Sequence, residues 1–208
     1  MSHPALSRQE QKEQTREALL DAALELSQDA GFAQVSLRQV TRAAGVVPTA
    51  FYRHFDSIDA LGLALVEESF ASLRGMLREV RRGNPAPREI ISTSVAVLER
   101  HVEQQRDHFA FIARERAAGP PQVRRAVRHQ LDLVERELAT DLARLAGSAW
   151  SSEDLQVVSA LIVTATVAIV EDLLDPEGHP PAQVLERAEK QLRMLVVGAL
   201  QWRSDYED

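Results

Sequence analysis

The sequence predicts an all-α protein, and three observations carry that expectation. Apolar residues recur at helical spacing nearly throughout, and no stretch sustains a period of two. Ala, Leu, Val, Arg and Glu dominate a chain whose aromatics amount to 5%. Gly and Pro clusters fall between the periodic stretches and cut the 208 residues into nine helical segments without an internal repeat. A hydrophobic content of 45% is enough for a sizeable core.

The first helix is predicted from Ser7 to Ala30, with Leu19, Ala22, Ala23, Leu26 and Ala30 on one face; Gly31 stops it in a conformation that favours glycine. Ser36 opens a short second helix, and Gln39 three residues on completes a capping box. That helix ends near Gly45. Pro48, in the first turn where its missing N–H costs nothing, starts a third helix that reaches Phe55. Ser57 caps the next, Ile58 to Arg82, which Gly83-Asn84-Pro85 terminates. Further helices are expected over Pro87–Gln105, Asp107–Ala117 and, after the Gly119-Pro120-Pro121 break, Gln122–Leu145. Ser151 or Ser152 caps an apolar helix continuing to Asp175, the turn from Pro176 to Pro181 follows, and Ala182–Trp202 is the last.

Charge and composition exclude several function classes. The net charge of −7 argues against a nonspecific nucleic-acid coat, yet no acidic residue lies between Asp29 and Asp56, a window holding Arg38, Arg42, Arg53 and His54. With no cysteine there are no disulfides or thiolate metal sites, which suits the cytoplasm. The polar N-terminus, Met1 to Gln14, lacks the apolar core of a secretion signal. Leu155 to Val170 is uncharged but short of the ~20 residues that span a bilayer, so it reads as a buried helix, and no membrane partner is expected. His3, His54, His101, His108, His129 and His179 form no metal-ligand motif, and there is no phosphate loop or nucleophile elbow. An enzyme and a cofactor are therefore not expected.

The two short helices around Gly45-Val46 have the geometry that sets a second helix into the major groove. In the segment Pro48 to Phe55, Phe51 and Phe55 anchor the helix to a core. Thr49, Ala50, Arg53 and His54 are left to face the groove, and Tyr52 to reach a phosphate or pack on the backbone. Ser36 and the start of the helix behind it offer N–H groups to a phosphate. The candidate DNA-binding set is Ser36, Arg38, Gln39, Pro48, Thr49, Ala50, Tyr52, Arg53, His54 and Ser57.

The string Thr15-Arg16-Glu17-Ala18-Leu19-Leu20-Asp21-Ala22-Ala23, with Gly31-Phe32, Ser36-Leu37-Arg38-Gln39-Val40, Ala43-Ala44-Gly45-Val46 and Phe51-Tyr52-Arg53-His54-Phe55, resembles the N-terminal signature of TetR-family repressors. That resemblance implies a three-helix helix-turn-helix domain at residues 1–56 and a helical ligand-binding and dimerisation bundle at residues 57–208. One departure stands out: many members carry Lys just after the cap of the fourth helix, where this chain has Ile58. At a finer level, Val47 to Phe55, Leu61-Gly62-Leu63, Arg114-Glu115-Arg116 and Gln191-Leu192-Arg193-Met194 resemble the FabR and DesT branch. This implies control of unsaturated fatty-acid genes and a long-chain acyl-CoA or acyl thioester as effector. A different hydrophobic effector such as a drug, with efflux or catabolic targets, is the alternative, and a helical ligand-binding protein without DNA binding is a second.

A pocket in such a bundle needs an apolar lining with a few polar groups. Phe70, Leu73, Leu77, Phe109, Ile112, Leu131, Val134, Ile162 and Thr166 are either its walls or simply core. Arg114 and Arg116 either fork onto CoA phosphates or end a solvated helix, with Glu115 available for an ion pair. Ala160, Thr164 and Ala168 form a stripe of small residues, and Leu185, Ala188, Leu192, Leu195 and Ala199 line the last helix. Together they are expected to build a homodimer as a four-helix bundle, with packing inside one chain as the alternative. A symmetric dimer reads a pseudo-palindromic operator in double-stranded DNA.

Overall fold

A computed structural model describes residues 7–83, 86, 89–146, 150–175 and 177–202. The breakers Asn84 and Pro85, the helix start at Pro87, the turn residue Pro176 and residues 1–6 lie outside the described residues. Among the described residues there are nine α-helices, one 3₁₀ turn and no strand: α1 (Arg8–Ala30), the 3₁₀ turn (Phe32–Gln34), α2 (Leu37–Ala43), α3 (Pro48–Phe51), α4 (Ile58–Gly83), α5 (Ile90–Gln104), α6 (Arg106–Ala118), α7 (Pro121–Ala146), α8 (Ser152–Leu174) and α9 (Pro181–Gln201). The protein is all-α.

Local chemistry sets most of these ends. The Ser7 hydroxyl accepts from the Glu10 N–H while the Glu10 carboxylate accepts from the Ser7 N–H, a reciprocal box that starts α1. Ser36 and Gln39 repeat it at α2. Ser57 and Ser151 accept from the N–H groups of Ala60 and Asp154 at the starts of α4 and α8. Gly31 ends α1 with φ 80° and ψ 161°, so it has the positive φ that favours glycine but an extended ψ instead of a left-handed helical one.

The chain divides into two compact units, Met1–Ser69 with Ala110–Val127, and Phe70–Phe109 with Arg128–Asp208. Helices α4, α6 and α7 contribute residues to both. The first unit buries Leu19, Ala23, Phe32, Val40, Phe51, Leu61, Leu65, Val123 and Val127 essentially completely. Phe32 meets Phe111 edge-on, with ring centroids 6.2 Å apart. Its ring also lies so close to Gly62 on α4 that a β-carbon there would come within 2.5 Å of it, so Gly62 is glycine because Phe32 occupies that space. The second unit has its own core, in which Met76, Val95, Leu98, Val102, Phe109, Ile169, Val170, Val184, Ala188 and Leu192 pack together.

One helix departs from its expected environment. α8 was expected to be buried, but only 28% of its most apolar window is covered by its own chain. Val157 and Leu161 are each more than half exposed, as are Met194 and Val197 on α9. By length and composition alone α8 is long and apolar enough to cross a membrane.

Candidate nucleic-acid interface

The helix-turn-helix is built on two phenylalanines. Phe51 is fully buried and Phe55 nearly so, their ring centroids 5.7 Å apart. Because they point inward, the intervening residues Tyr52 and Arg53 point out, and both are exposed. Thr49 and Pro48 are exposed one turn earlier, while Ala50 and His54 are half-buried. The Tyr52 ring stands edge-on to Phe51 at 5.6 Å, which fixes its direction while leaving it 59% exposed.

The connecting turn is tightly bonded. Gly45, with φ 67°, donates to the Arg42 carbonyl, and the next N–H, that of Val46, donates back to Thr41 at 2.9 Å. Thr41, itself buried, sends its hydroxyl to the Leu37 carbonyl and so satisfies it within α2.

The α-helix predicted over Pro48 to Phe55 is shorter than expected. It ends at Phe51, and Tyr52 to His54 continue as tight turns, with the Arg53 N–H donating to Ala50 and the His54 N–H to Phe51. The Phe55 N–H still donates to the Phe51 carbonyl at 3.0 Å, so Phe51 and Phe55 keep the four-residue spacing that buries both on one side.

Ser36, Arg38, Gln39 and Ser57 are all exposed. In the free protein Ser36 and Gln39 hold each other through the capping box, and the Ser57 hydroxyl holds the Ala60 N–H. Ile58, which stands where many relatives have Lys, is half-buried. Two cations on α1 went unrecognised in the sequence. The Arg16 guanidinium lies 4.7 Å over the Phe55 ring, and Lys12 lies one turn before it. Burial pushes the His54 imidazole below its ordinary value, and the positive charges of Lys12 and Arg16 push it further. The 8, 12, 16 spacing of Arg8, Lys12 and Arg16 was the available signal.

The arrangement is therefore an exposed, basic edge on a buried aromatic base. Residues 19–65 match the family model of bacterial regulatory proteins of the tetR family, and residues 87–198 match that of the tetracyclin repressor-like C-terminal domain, which alone spans more than half the chain. The chain belongs to the TetR family. It is a DNA-binding transcriptional regulator of a family whose members dimerise and respond to small-molecule effectors.

Solved structures agree in fold. A TetR-family transcriptional regulator from Syntrophomonas wolfei is 12% identical and superposes with a TM-score of 0.76, over 89% of this chain and 96% of that one. A transcriptional regulator from Rhodococcus sp. is 21% identical with a TM-score of 0.70, over 88% and 96%. The fatty acid degradation regulator FadR from Bacillus halodurans is 15% identical with a TM-score of 0.69, over 91% and 97%.

In this TetR-family chain the remaining sequence-derived residues fall into distinct settings. Leu73, Leu77, Phe109 and Ile162 gather in the apolar cluster of the second unit. Phe70 and Val134 are buried in that unit and Ile112 in the first, whereas Leu131 and Thr166 are half-buried. A cavity of about 150 Å³ between Asp172, His179, Gln183, Val184 and Arg187 is lined by none of them, and it is below the ~300 Å³ usual for a ligand pocket. Arg114 requires a correction. Its guanidinium donates to the Ser27 and Gln28 carbonyls at 2.9 and 2.6 Å, so it serves the end of α1 instead of standing open for a phosphate. Arg116 is half-buried.

The dimer set also divides. Thr164 and Ala168 are exposed in line with Val157 and Leu161, whereas Ala160, Leu185, Leu195 and Ala199 are half-buried. Ala188 and Leu192 do not belong to an exposed face. At 0% and 9% exposure they lie in the core of their own chain, because that side of α9 covers the second unit's apolar cluster. Met194 and Val197 are the exposed apolar residues of α9.

Proposed function

We propose that the protein is a homodimeric, cytoplasmic repressor that reads a pseudo-palindromic operator through Thr49, Tyr52, Arg53 and His54 and releases or holds it according to a hydrophobic effector. Residues 1–56 are the DNA-reading part, and residues 57–208 bind effector and partner. The observation that carries this reading is the pairing of buried Phe51 and Phe55 with exposed Tyr52 and Arg53, since a direct reader of DNA needs a fixed backbone and free polar side chains. Ser36, Arg38, Gln39 and Ser57 supply backbone contacts around it. Dimerisation uses the exposed apolar face of α8 and α9, with Val157, Leu161, Thr164 and Ala168 facing a second copy.

For the effector we propose a long-chain acyl thioester, with the acyl chain against Leu73, Leu77, Phe109 and Ile162. The resemblance to the FabR and DesT branch supports it, and control of unsaturated fatty-acid genes goes with it. The fatty acid degradation regulator from Bacillus halodurans shares the fold. One observation favours a second reading, an uncharged hydrophobic molecule such as a drug. Arg114, the first of the two guanidiniums expected on the CoA phosphates, is engaged with α1.

Native mass spectrometry of the purified protein, together with gel shifts on the DNA upstream of its gene with and without oleoyl-CoA, tests the effector. An acyl thioester carried through purification, or a shift that oleoyl-CoA alters, is the expected result. No effect of acyl-CoA on DNA binding contradicts the acyl thioester and leaves the uncharged effector standing.

A further inference from the structure

The exit of α1 is held from outside its own segment. Arg114 on α6 donates to the Ser27 and Gln28 carbonyls in the last turn of α1, the first of which also accepts from the Gly31 N–H. The last turn of α1 contains Asp29 and no basic residue, so the positive charge that suits a helix C-terminus comes from Arg114. The neighbouring Glu115 is 1% exposed, and its Oε1 accepts from the Phe32 N–H at 2.9 Å. One side chain thus takes the carbonyls before Gly31 and the next takes the N–H after it.

The rest of the site is built around that carboxylate. At Gly119 a β-carbon would come within 2.4 Å of Glu115 Oε2 and within 2.8 Å of the Glu115 carbonyl oxygen, so only glycine lets the turn after α6 close over it. Oε2 is buried and has no hydrogen-bond partner among the described residues. Burial raises the proton affinity of Glu115, against the pull of the Phe32 N–H and of Arg114. A buried carboxylate is costly, and a neutral side chain would cap one N–H at less expense.

We propose that Arg114 and Glu115 are positioning residues for operator binding, a clasp by which α6 fixes the exit of α1 and, through Phe32, the start of α2. Phe32 is in the core, and four residues on Ser36 caps α2, so a shift at the clasp is carried into the helix-turn-helix. The same helix α6 carries Phe109, a member of the second unit's apolar cluster, near its other end. The clasp rests on the reading of the chain as an operator-binding regulator.

The test uses the full-length protein and a duplex selected from random DNA by the wild type, with affinity read by fluorescence anisotropy well below the melting temperature. Glu115→Ala leaves the Phe32 N–H without its acceptor, and operator affinity is expected to fall by about tenfold or more while the protein stays folded and dimeric. Glu115→Gln retains an acceptor oxygen and is expected to bind within about twofold of wild type. A folded Glu115→Ala protein with wild-type affinity, or a Gln variant as weak as Ala, overturns the proposal. Should Glu115→Ala fail to fold, Arg114→Ala decides, because that side chain is exposed. Weaker operator binding at an unchanged melting temperature supports the clasp, and unchanged binding overturns it. A wild-type protein that selects no DNA overturns the underlying reading instead, and the clasp with it.

Discussion

The recognition segment and the α8–α9 face follow one plan with opposite chemistry. Each sets exposed side chains on a buried base, Tyr52 and Arg53 over Phe51 and Phe55 in one, Leu161 and Val197 over Val163, Ala188 and Leu192 in the other. The first exposes hydrogen-bonding and charged groups that water already solvates, so it is stable alone and attracts a polyanion. The second exposes apolar surface that water solvates poorly, the kind of surface that favours burial against like surface. In an acidic chain the first region can attract DNA because no acidic residue lies between Asp29 and Asp56 to offset Arg38, Arg42 and Arg53.

The difference can be broken from either side. The largest effect is expected at the apolar face. Leu161→Glu places a carboxylate where a second copy would bury it, and light scattering should find a monomer at concentrations where the wild type is dimeric. A dimer of wild-type stability would show that this face is not the interface. Next is Phe51→Ala, which removes a fully buried ring beneath the recognition segment and should cost about 3–5 kcal/mol in denaturant unfolding. Ser36→Ala is smaller, about 1 kcal/mol, because it deletes one half of a capping box on a short helix.

The smallest effect concerns His54. Its proton affinity in the folded protein lies below the ordinary 6.5, so the unfolded chain takes up a proton first as pH falls. The contribution of His54 to stability is therefore complete above 6.5 and is lost as pH drops from there through the lower folded-state value. Melting temperatures of wild type and His54→Gln should diverge over that window, the variant losing less. Parallel curves would show that the imidazole is not held neutral by its surroundings.

Helix ends were legible in the sequence wherever one residue decides them. Ser36, Ser57, Ser151 and Gly31 act through neighbours three or four positions away, and local spacing shows such partners directly. The helix-turn-helix was legible for the same reason, although the pattern overran α3, because Phe51 and Phe55 keep helical spacing through the turns that follow Phe51. The choice between the two roles of Arg114 was not legible because its partners lie 86 and 87 residues earlier, and nothing in its own helix reports them. The apolar spacing of α8 and α9 marked which residues avoid water without saying which molecule covers them. Ala188 and Leu192 are covered by their own chain, whereas Val157 and Met194 are left open.

The central claim, that Tyr52 and Arg53 read an operator, is tested most directly by measuring binding of the wild type and of a Tyr52→Ala, Arg53→Ala double variant to the same selected duplex across a salt series. Both side chains are exposed, so the variant should remain folded and dimeric. It should lose specific affinity by roughly a hundredfold and show a shallower salt dependence. A folded double variant that binds the duplex as tightly as the wild type would contradict the account.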